Sequence, residues 1–379
     1  MIYKNEKPAI LMFQDGSYFE GIGFGAVKKV SGEITFTTIP GSGYVESLTD
    51  PSFYGQIIVY TYTSIGNFGV PEKLRDDYGI LKQFESDYIK QKGLIVNEYC
   101  KIPSHYESVK TLEDWLIEED VPGIQWIDTR TITQELVLKG SKLGLIQVCE
   151  VGEKPNIEDL KTEVISIENP NDKNLVETVS TKEIKKFSPE NSKARVVILD
   201  LGVKNNVIRT LLLNSIEAIV IPYNFNYDKI MELEPNGVLL ANGPGNPQLY
   251  DNLIEVAKNL IENKIPTMGI GLGHTIIGLA AGASCYKMTS EHRGGRTTVE
   301  SATGDCYITF QNHAYCLKDV EKNGFKEYYH DKDDKTNEGI IHENRPIFSV
   351  AFNPEASPGS VDMKDVIFNQ FIKFVEDNK

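Results

Sequence analysis

The sequence predicts an α/β protein in two parts: a β-rich N-terminal domain, then a doubly wound, mostly parallel sheet. Three observations predict it. The C-terminal half alternates short, wholly apolar runs with helical stretches, the order that gives a parallel sheet with helices on both faces. The N-terminal half carries brief β-like runs punctuated by Gly and Asp-Gly turns. The 379 residues exceed what one ordinary core accommodates, which calls for two domains.

Element by element, Ala9–Phe13, Tyr18–Phe24, Glu33–Thr38, Gln56–Thr61 and Gly93–Val96 read as strands. A helix over Thr111–Glu118 opens on a capping threonine and stops at the turn Val121-Pro122-Gly123. A second, Thr131–Lys139, follows Asp128-Thr129. Residues 153–193 are polar, hold Asn169-Pro170-Asn171-Asp172 and a lysine-rich patch, and read as a linker. This sets an N-terminal domain over 1–152 and a C-terminal domain over 194–379. In the latter, Val196–Leu199, Ala218–Ile221, Gly237–Leu240 and Pro266–Ile270 are continuous apolar runs, the pattern of strands buried on both faces. Asn206–Leu213 and Leu253–Asn263 are the helices between them. Ligands in such sheets gather at the carboxyl ends of the strands, here the loops Asn242–Pro247 and Gly271–His274.

Composition excludes several functions. With 39 basic against 54 acidic residues the formal charge is −15, which opposes wholesale binding to nucleic acid or an anionic membrane. No apolar run reaches the ~20 residues that span a bilayer, and the opening MIYKNEKPAILMFQDG has the form of neither a signal nor a transit peptide. Cys100, Cys149, Cys285, Cys306 and Cys316 have no C-x-x-C spacing. They read as reduced thiols of a cytoplasmic protein, and no metal site is expected from them.

The chemistry concentrates in four segments. Met268–Thr275 reads MGIGLGHT, a strand that breaks into a helix through a tight turn whose central residue sits exposed and strained. That residue usually carries a nucleophile; here it is Gly271. A dinucleotide reading fails, because the third position of G-x-G-x-x-G falls on His274. Ala241–Pro247 is either a plain turn or a pair of amides offered to an oxyanion. Gln311–Tyr315 follows a strand over Cys306–Phe310, and a lone histidine there is more often packed than catalytic. Phe352–Gly359 ends a strand and sets Glu355 two residues beyond Asn353, where His-x-Glu would have supplied an oriented base.

Taken in order, G-P-G-N-P, G-I-G-L-G-H, Q-N-H-A-Y and F-N-P-E-A-S-P-G resemble a class I glutamine amidotransferase domain. Gly41–Ser52, Ser64–Gly69, Asp128–Arg130 and Asp200–Asn206 resemble the small subunits of carbamoyl-phosphate synthetases, and the likeness runs from about Ala9 to Phe374. It implies a cysteine nucleophile at the elbow, a histidine base and a glutamate that orients it. It further implies ammonia delivery to a large subunit that uses ATP, bicarbonate and Mg; no cofactor is expected in this chain. On this sequence the nucleophile position is Gly271, the base position is Asn353, and Glu355 is the surviving triad member. The glutamine-contacting positions fall on Ser52, Gly243, Gly245, Leu272, Thr275, Asn312, Ala314 and Tyr315, with Thr275 replacing the usual glutamine. A small subunit that has lost glutamine hydrolysis and supports an ammonia-using large subunit is the expectation. Ordinary glutamine-dependent synthesis and a non-catalytic glutamine-binding module are its alternatives.

Overall fold

A computed structural model describes residues 6–39 and 41–378. The chain forms two compact units, one of residues up to Leu74 with Leu81–Asp172, the other of Arg75–Ile80 with Lys173 onward.

In the first unit, strands β1 (Lys7–Phe13), β2 (Tyr18–Gly25), β3 (Lys29–Thr37), β4 (Gln56–Tyr60), β6 (Gly93–Ile95), β8 (Pro122–Gln125) and β9 (Lys142–Val148) close into a barrel. Its order is β1-β2-β8-β6-β4-β3-β9. Val70–Pro71 (β5) and Ser108–Lys110 (β7) pair separately. The helices are α1 (Tyr44–Thr49), α2 (Leu112–Glu118), α3 (Thr129–Lys139) and α4 (Ile157–Ile165). The period of two explains the apolar runs. Ala9, Leu11 and Phe13 share one core with Ile57, Val59 and Ile146, whereas Ile10 and Met12 face Leu160 and Val164 of α4. Likewise Ile58 and Tyr60 turn outward to Trp115 and Leu116 of α2. Both faces of these strands are covered, so no polar alternation survives. Thr111 caps α2 as expected, its hydroxyl accepting the Asp114 amide at 3.1 Å.

In the second unit the elements are α5 (Val176–Val179), β10 (Lys185–Phe187), β11 (Ala194–Asp200), α6 (Asn205–Leu213), β12 (Ile216–Pro222) and α7 (Tyr227–Met231). Then follow β13 (Gly237–Leu240), α8 (Asp251–Glu262), β14 (Thr267–Ile270), α9 (Leu272–Ala280) and β15 (Ser284–Glu300). The last are β16 (Cys306–Lys318), β17 (Phe325–Asp331), β18 (Asn337–His342), β19 (Ile347–Val350) and α10 (Lys364–Asp377). They build one ten-stranded sheet, β10-β12-β11-β13-β14-β19-β18-β17-β15-β16. Strands β12, β11, β13, β14 and β19 run parallel. Alternate residues face opposite helices: Val196 and Ile198 pack with α6 and α10, Val197 and Leu199 with α8 and α9. The sheet is therefore wound on both faces. Residues 153–193, read as a linker, carry α4, α5 and the edge strand β10. Among the described residues no helix is long and apolar enough to cross a membrane.

Glu217 of β12 ties this edge together. Its carboxylate takes Arg195 Nε at 2.5 Å, Lys186 Nζ at 2.9 Å and the Ser188 hydroxyl at 2.7 Å. Burial alone would raise its pKa, but these three partners hold it at about 2. A depressed carboxylate contributes stability above its unfolded pKa and loses it as pH falls toward the folded one. Glu217→Gln is therefore expected to be less stable than the parent at pH 7, with the gap in urea midpoint closing between about pH 4.5 and about 2. A gap that stays constant across that window would contradict the assignment.

Candidate functional site

Strand β14 ends at Ile270, Gly271 takes φ 55° and ψ −109°, and α9 begins at Leu272. The Gly271 amide donates to the Val350 carbonyl at 2.9 Å and the Thr275 amide to the Gly271 carbonyl at 3.2 Å. The neighbouring glycines are imposed by packing. A Cβ on Gly273 would lie 2.1 Å from the Leu240 carbonyl oxygen, and one on Gly269 2.7 Å from that of Gly273. Gly271 differs. A Cβ there would meet nothing nearer than Asn242 Cβ at 3.4 Å, an ordinary contact. The elbow has room for a side chain and keeps the strained dihedrals of a nucleophile turn, yet carries none.

Adjacent parallel strands set the other loops beside it. The loop after β13 brings Asn242 against Gly271, and the loop after β19 brings the Ala351 carbonyl to 3.9 Å from the same Cβ position. Gly243 is pressed on the end of β11, its Cβ position 2.1 Å from the Leu201 carbonyl, and Gly245 has φ 96°. The Leu272 amide is the first of α9, where an intrahelical acceptor does not exist. The Leu272 amide and the Gly243–Gly245 loop are the backbone groups from which an oxyanion site is expected.

Asn353 and Glu355 lie on the loop after β19. Asn353 is buried; its amide N–H donates to the Phe310 carbonyl at 2.9 Å, and its side-chain Nδ2 has no hydrogen-bond partner among the described residues. Glu355 is wholly buried and forms an ion pair with Lys204, equally buried, Nζ to Oε1 2.8 Å. The ammonium also donates to the Ala356 carbonyl at 2.9 Å. Asn206 Nδ2 holds the same loop, donating to the Glu355 carbonyl at 2.5 Å and the Ser357 hydroxyl at 2.9 Å. Asp200 fixes the start of this arrangement by accepting the amides of Gly202 and Val203 at 3.0 and 2.8 Å. Lys204 and Asn206 lie in the Asp200–Asn206 run, but sequence alone gave neither a role; a lysine between two apolar elements was the available signal.

Gln311–Tyr315, expected as a loop after Cys306–Phe310, is instead the continuation of strand β16. The correction has a physical cause: β15 pairs along it, from Arg293 opposite Asn312 to Val299 opposite Cys306. Asn312 Oδ1 accepts from the Arg293 guanidinium, itself paired with Glu291 at 2.6 Å, and the buried Asn312 Nδ2 has no hydrogen-bond partner among the described residues. Ala314 is buried and Tyr315 half-buried. Thr275 turns its hydroxyl back to the Leu272 carbonyl at 2.8 Å. The structure thus brings Gly243, Gly245, Gly271, Leu272 and Thr275 together at the ends of β13 and β14. Asn353 bridges to Phe310 of β16, the strand that carries Asn312, Ala314 and Tyr315. Ser52 belongs to the first unit, where its amide donates to Asp50 Oδ1 at 2.8 Å.

Cys316 lacks both the acidity and the base that a nucleophile needs. Burial pushes Cys316 up to about 12, so it is a thiol at neutral pH, donating to the carbonyls of Leu317 and Asn337. Burial pushes His274 down to about 3, and its Nδ1 faces the Ser349 hydroxyl at 2.9 Å. A weak base and a thiol far above neutrality form no nucleophilic pair.

Two family models match the chain. That of the carbamoyl-phosphate synthase small chain, CPSase domain, covers residues 11–146, and that of glutamine amidotransferase class-I covers residues 197–374. The carbamoyl phosphate synthase small chain of Methanocaldococcus jannaschii is 42% identical over 367 residues, 96% of this chain and 98% of that one. The arginine-specific small chain of Saccharomyces cerevisiae is 40% identical over 378 residues, 97% of this chain and 89% of that one. The mitochondrial carbamoyl-phosphate synthase [ammonia] of Mus musculus is 39% identical over 377 residues, 98% of this chain but 24% of that one.

Proposed function

The chain belongs to the carbamoyl-phosphate synthase small-chain family, and from that membership we propose that it supports a synthase large chain without hydrolysing glutamine. The observation that carries this reading is Gly271: the elbow keeps its strained backbone and its space, and the residue in it has no side chain to attack an amide. Asn353 adds to it, because a carboxamide accepts no proton at neutral pH. In the hydrolase case an oxyanion hole and positioning alone leave roughly 10³–10⁴-fold acceleration over water, which for an amide is negligible. The large chain, with its own ATP, bicarbonate and Mg, would then draw on free ammonia. The mouse relative carries ammonia in its name, in keeping with that nitrogen source.

One observation favours retained binding as a second reading. Asn312 Nδ2 is buried without a protein partner, the state of a donor kept for a polar ligand such as the glutamine side chain.

The test combines the purified chain with a cognate large chain and measures carbamoyl phosphate from glutamine or from ammonium. Synthesis with ammonium and none with glutamine is expected. Glutamine-driven synthesis free of contaminating glutaminase would overturn the proposal. Calorimetry with glutamine separates a bare scaffold, which shows no saturable heat, from a binding module.

A further inference from the structure

Away from the elbow, strands β15, β16 and β18 gather His292, His313 and Glu338 into one buried cluster, with one ligand atom of each within 4.8 Å of the others. His292 and Glu338 have fully buried side chains, and His313 is 11% exposed. The hydrogen-bond pattern around the two rings is unusual. His292 Nε2 faces Asp334 Oδ2 at 2.8 Å, and His313 Nδ1 faces the Tyr315 carbonyl at 3.1 Å. Each outer nitrogen therefore meets an acceptor and must carry the N–H. Both inner nitrogens also meet only acceptors. His292 Nδ1 lies 2.7 Å from Gln311 Oε1 and 2.8 Å from Glu338 Oε1. His313 Nε2 lies 3.1 Å from Gln311 Oε1 and 3.5 Å from Glu338 Oε2. In this structure the Gln311 Nε2 donates to the hydroxyls of Thr309 and Thr298 at 3.1 and 3.3 Å, which turns Oε1 toward both rings.

Neutral imidazoles would thus point two lone pairs at carbonyl and carboxylate oxygens, an arrangement that needs positive charge at its centre. Glu338 Oε2, buried and without a hydrogen-bond partner, faces the same centre. Among the described residues the lysine or arginine paired with Asp331, Asp334 or Glu338 is Arg296, which grips Asp331 at 2.7 and 2.8 Å and reaches Asp334 at 3.5 Å. That leaves two negative charges. Two extra protons would have to charge both rings, whose centroids are 5.0 Å apart, or one ring together with neutralising a carboxylate. One divalent ion supplies the same charge at a single point.

The geometry points to a transition-metal site of the Zn²⁺ class, held by His292 Nδ1, His313 Nε2, Glu338 and Gln311 Oε1. Two imidazoles favour Zn²⁺ over Mg²⁺ or Ca²⁺. Tetrahedral ligands with bonds of roughly 2.0–2.1 Å stand about 3.3 Å apart. The contacts at 3.1 and 3.5 Å already match this, and those at 2.7 and 2.8 Å open by about half an ångström. Asp334 and the Tyr315 carbonyl take the outer N–H groups, the support that metal-bound histidines receive from their surroundings. Four protein donors close the site, so the ion clamps β15, β16 and β18 together and takes no part in hydrolysis.

The test uses the full chain, stripped with a chelator and reloaded with Zn²⁺ or Co²⁺. One equivalent of Zn²⁺ is expected to survive gel filtration and to raise the melting temperature. Co²⁺ is expected to give visible d–d bands with no thiolate charge-transfer band. Glu338→Gln keeps the shape but removes the charge, and should weaken Zn²⁺ binding by about 100-fold or more. Asp334→Asn, outside the ligand set and partly exposed, should weaken it by about 10- to 100-fold in a protein that still folds. Substoichiometric zinc in the parent chain would overturn the site. So would binding unchanged in both variants, or a thiolate band that vanishes in Cys306→Ser.

Discussion

Gly271→Cys combined with Asn353→His is expected to create glutaminase activity where neither substitution does so alone. The elbow is already formed: a Cβ at 271 meets Asn242 Cβ at 3.4 Å and Ala351 O at 3.9 Å, so a Cβ is accepted there in ordinary contact. Its cost is the dihedral strain of φ 55°, about 1–3 kcal/mol for a non-glycine residue. A thiol without a base remains protonated and unoriented, which is why Gly271→Cys alone should stay at background. With the imidazole at 353, two residues before Glu355, base and orienting carboxylate are restored together. General-base catalysis of this kind contributes about 10²–10⁴-fold, so the double variant should exceed Gly271→Cys by at least about 10² in ammonia release. Adding Thr275→Gln should then lower KM more than it changes kcat, because position 275 is assigned to substrate contact. A double variant that melts like its parent and still releases no ammonia would show that the frame around Gly245 and Leu272 is no oxyanion site.

How much of this was legible beforehand follows from where the signal was local. Strands β11, β12, β13 and β14 were readable because Val196–Leu199 and its counterparts are apolar on both faces and need no partner to be recognised. The elbow was readable for the same reason, its glycines lying within one octapeptide. Strand β15 was not. It reads SCYKMTSEHRGGRTTVE, with charged residues where apolar ones would signal burial. Their partners, Asn312 for Arg293, Asp331 for Arg296 and Glu338 for His292, come from other strands. Helix α4 buries only Leu160 and Val164, too little for a periodic signal in a polar stretch. Lys204 was hidden most completely, because nothing near it in sequence announces a buried carboxylate.

Lys204→Met is expected to destabilise the second unit severely, and more than any change at Gly271. Both ends of the Lys204–Glu355 pair are wholly buried, 2.8 Å apart. Removing the cation breaks a wholly buried ion pair, a loss of about 3–5 kcal/mol. For a unit of this size each kcal/mol moves the melting temperature by about 2–4 °C, so a fall on the order of 10 °C should appear in calorimetry. Glu355→Gln combined with Lys204→Met should recover part of that loss, since no ion is then left uncompensated. The non-additivity in such a cycle is the measure of the pair itself. If Lys204→Met costs less than about 1 kcal/mol, the pair does not hold the loop. The functional consequence runs through the same residues. Lys204 and Asn206 fasten Ala356, Glu355 and Ser357, the segment that carries the glutamate expected at a triad position. On the proposed reading a carboxylate kept for catalysis would be dispensable, whereas one kept as the anchor of this loop would not. Loss of large-chain support in Lys204→Met, with support retained in Glu355→Gln/Lys204→Met, would place Glu355 among the residues that preserve the architecture rather than the reaction.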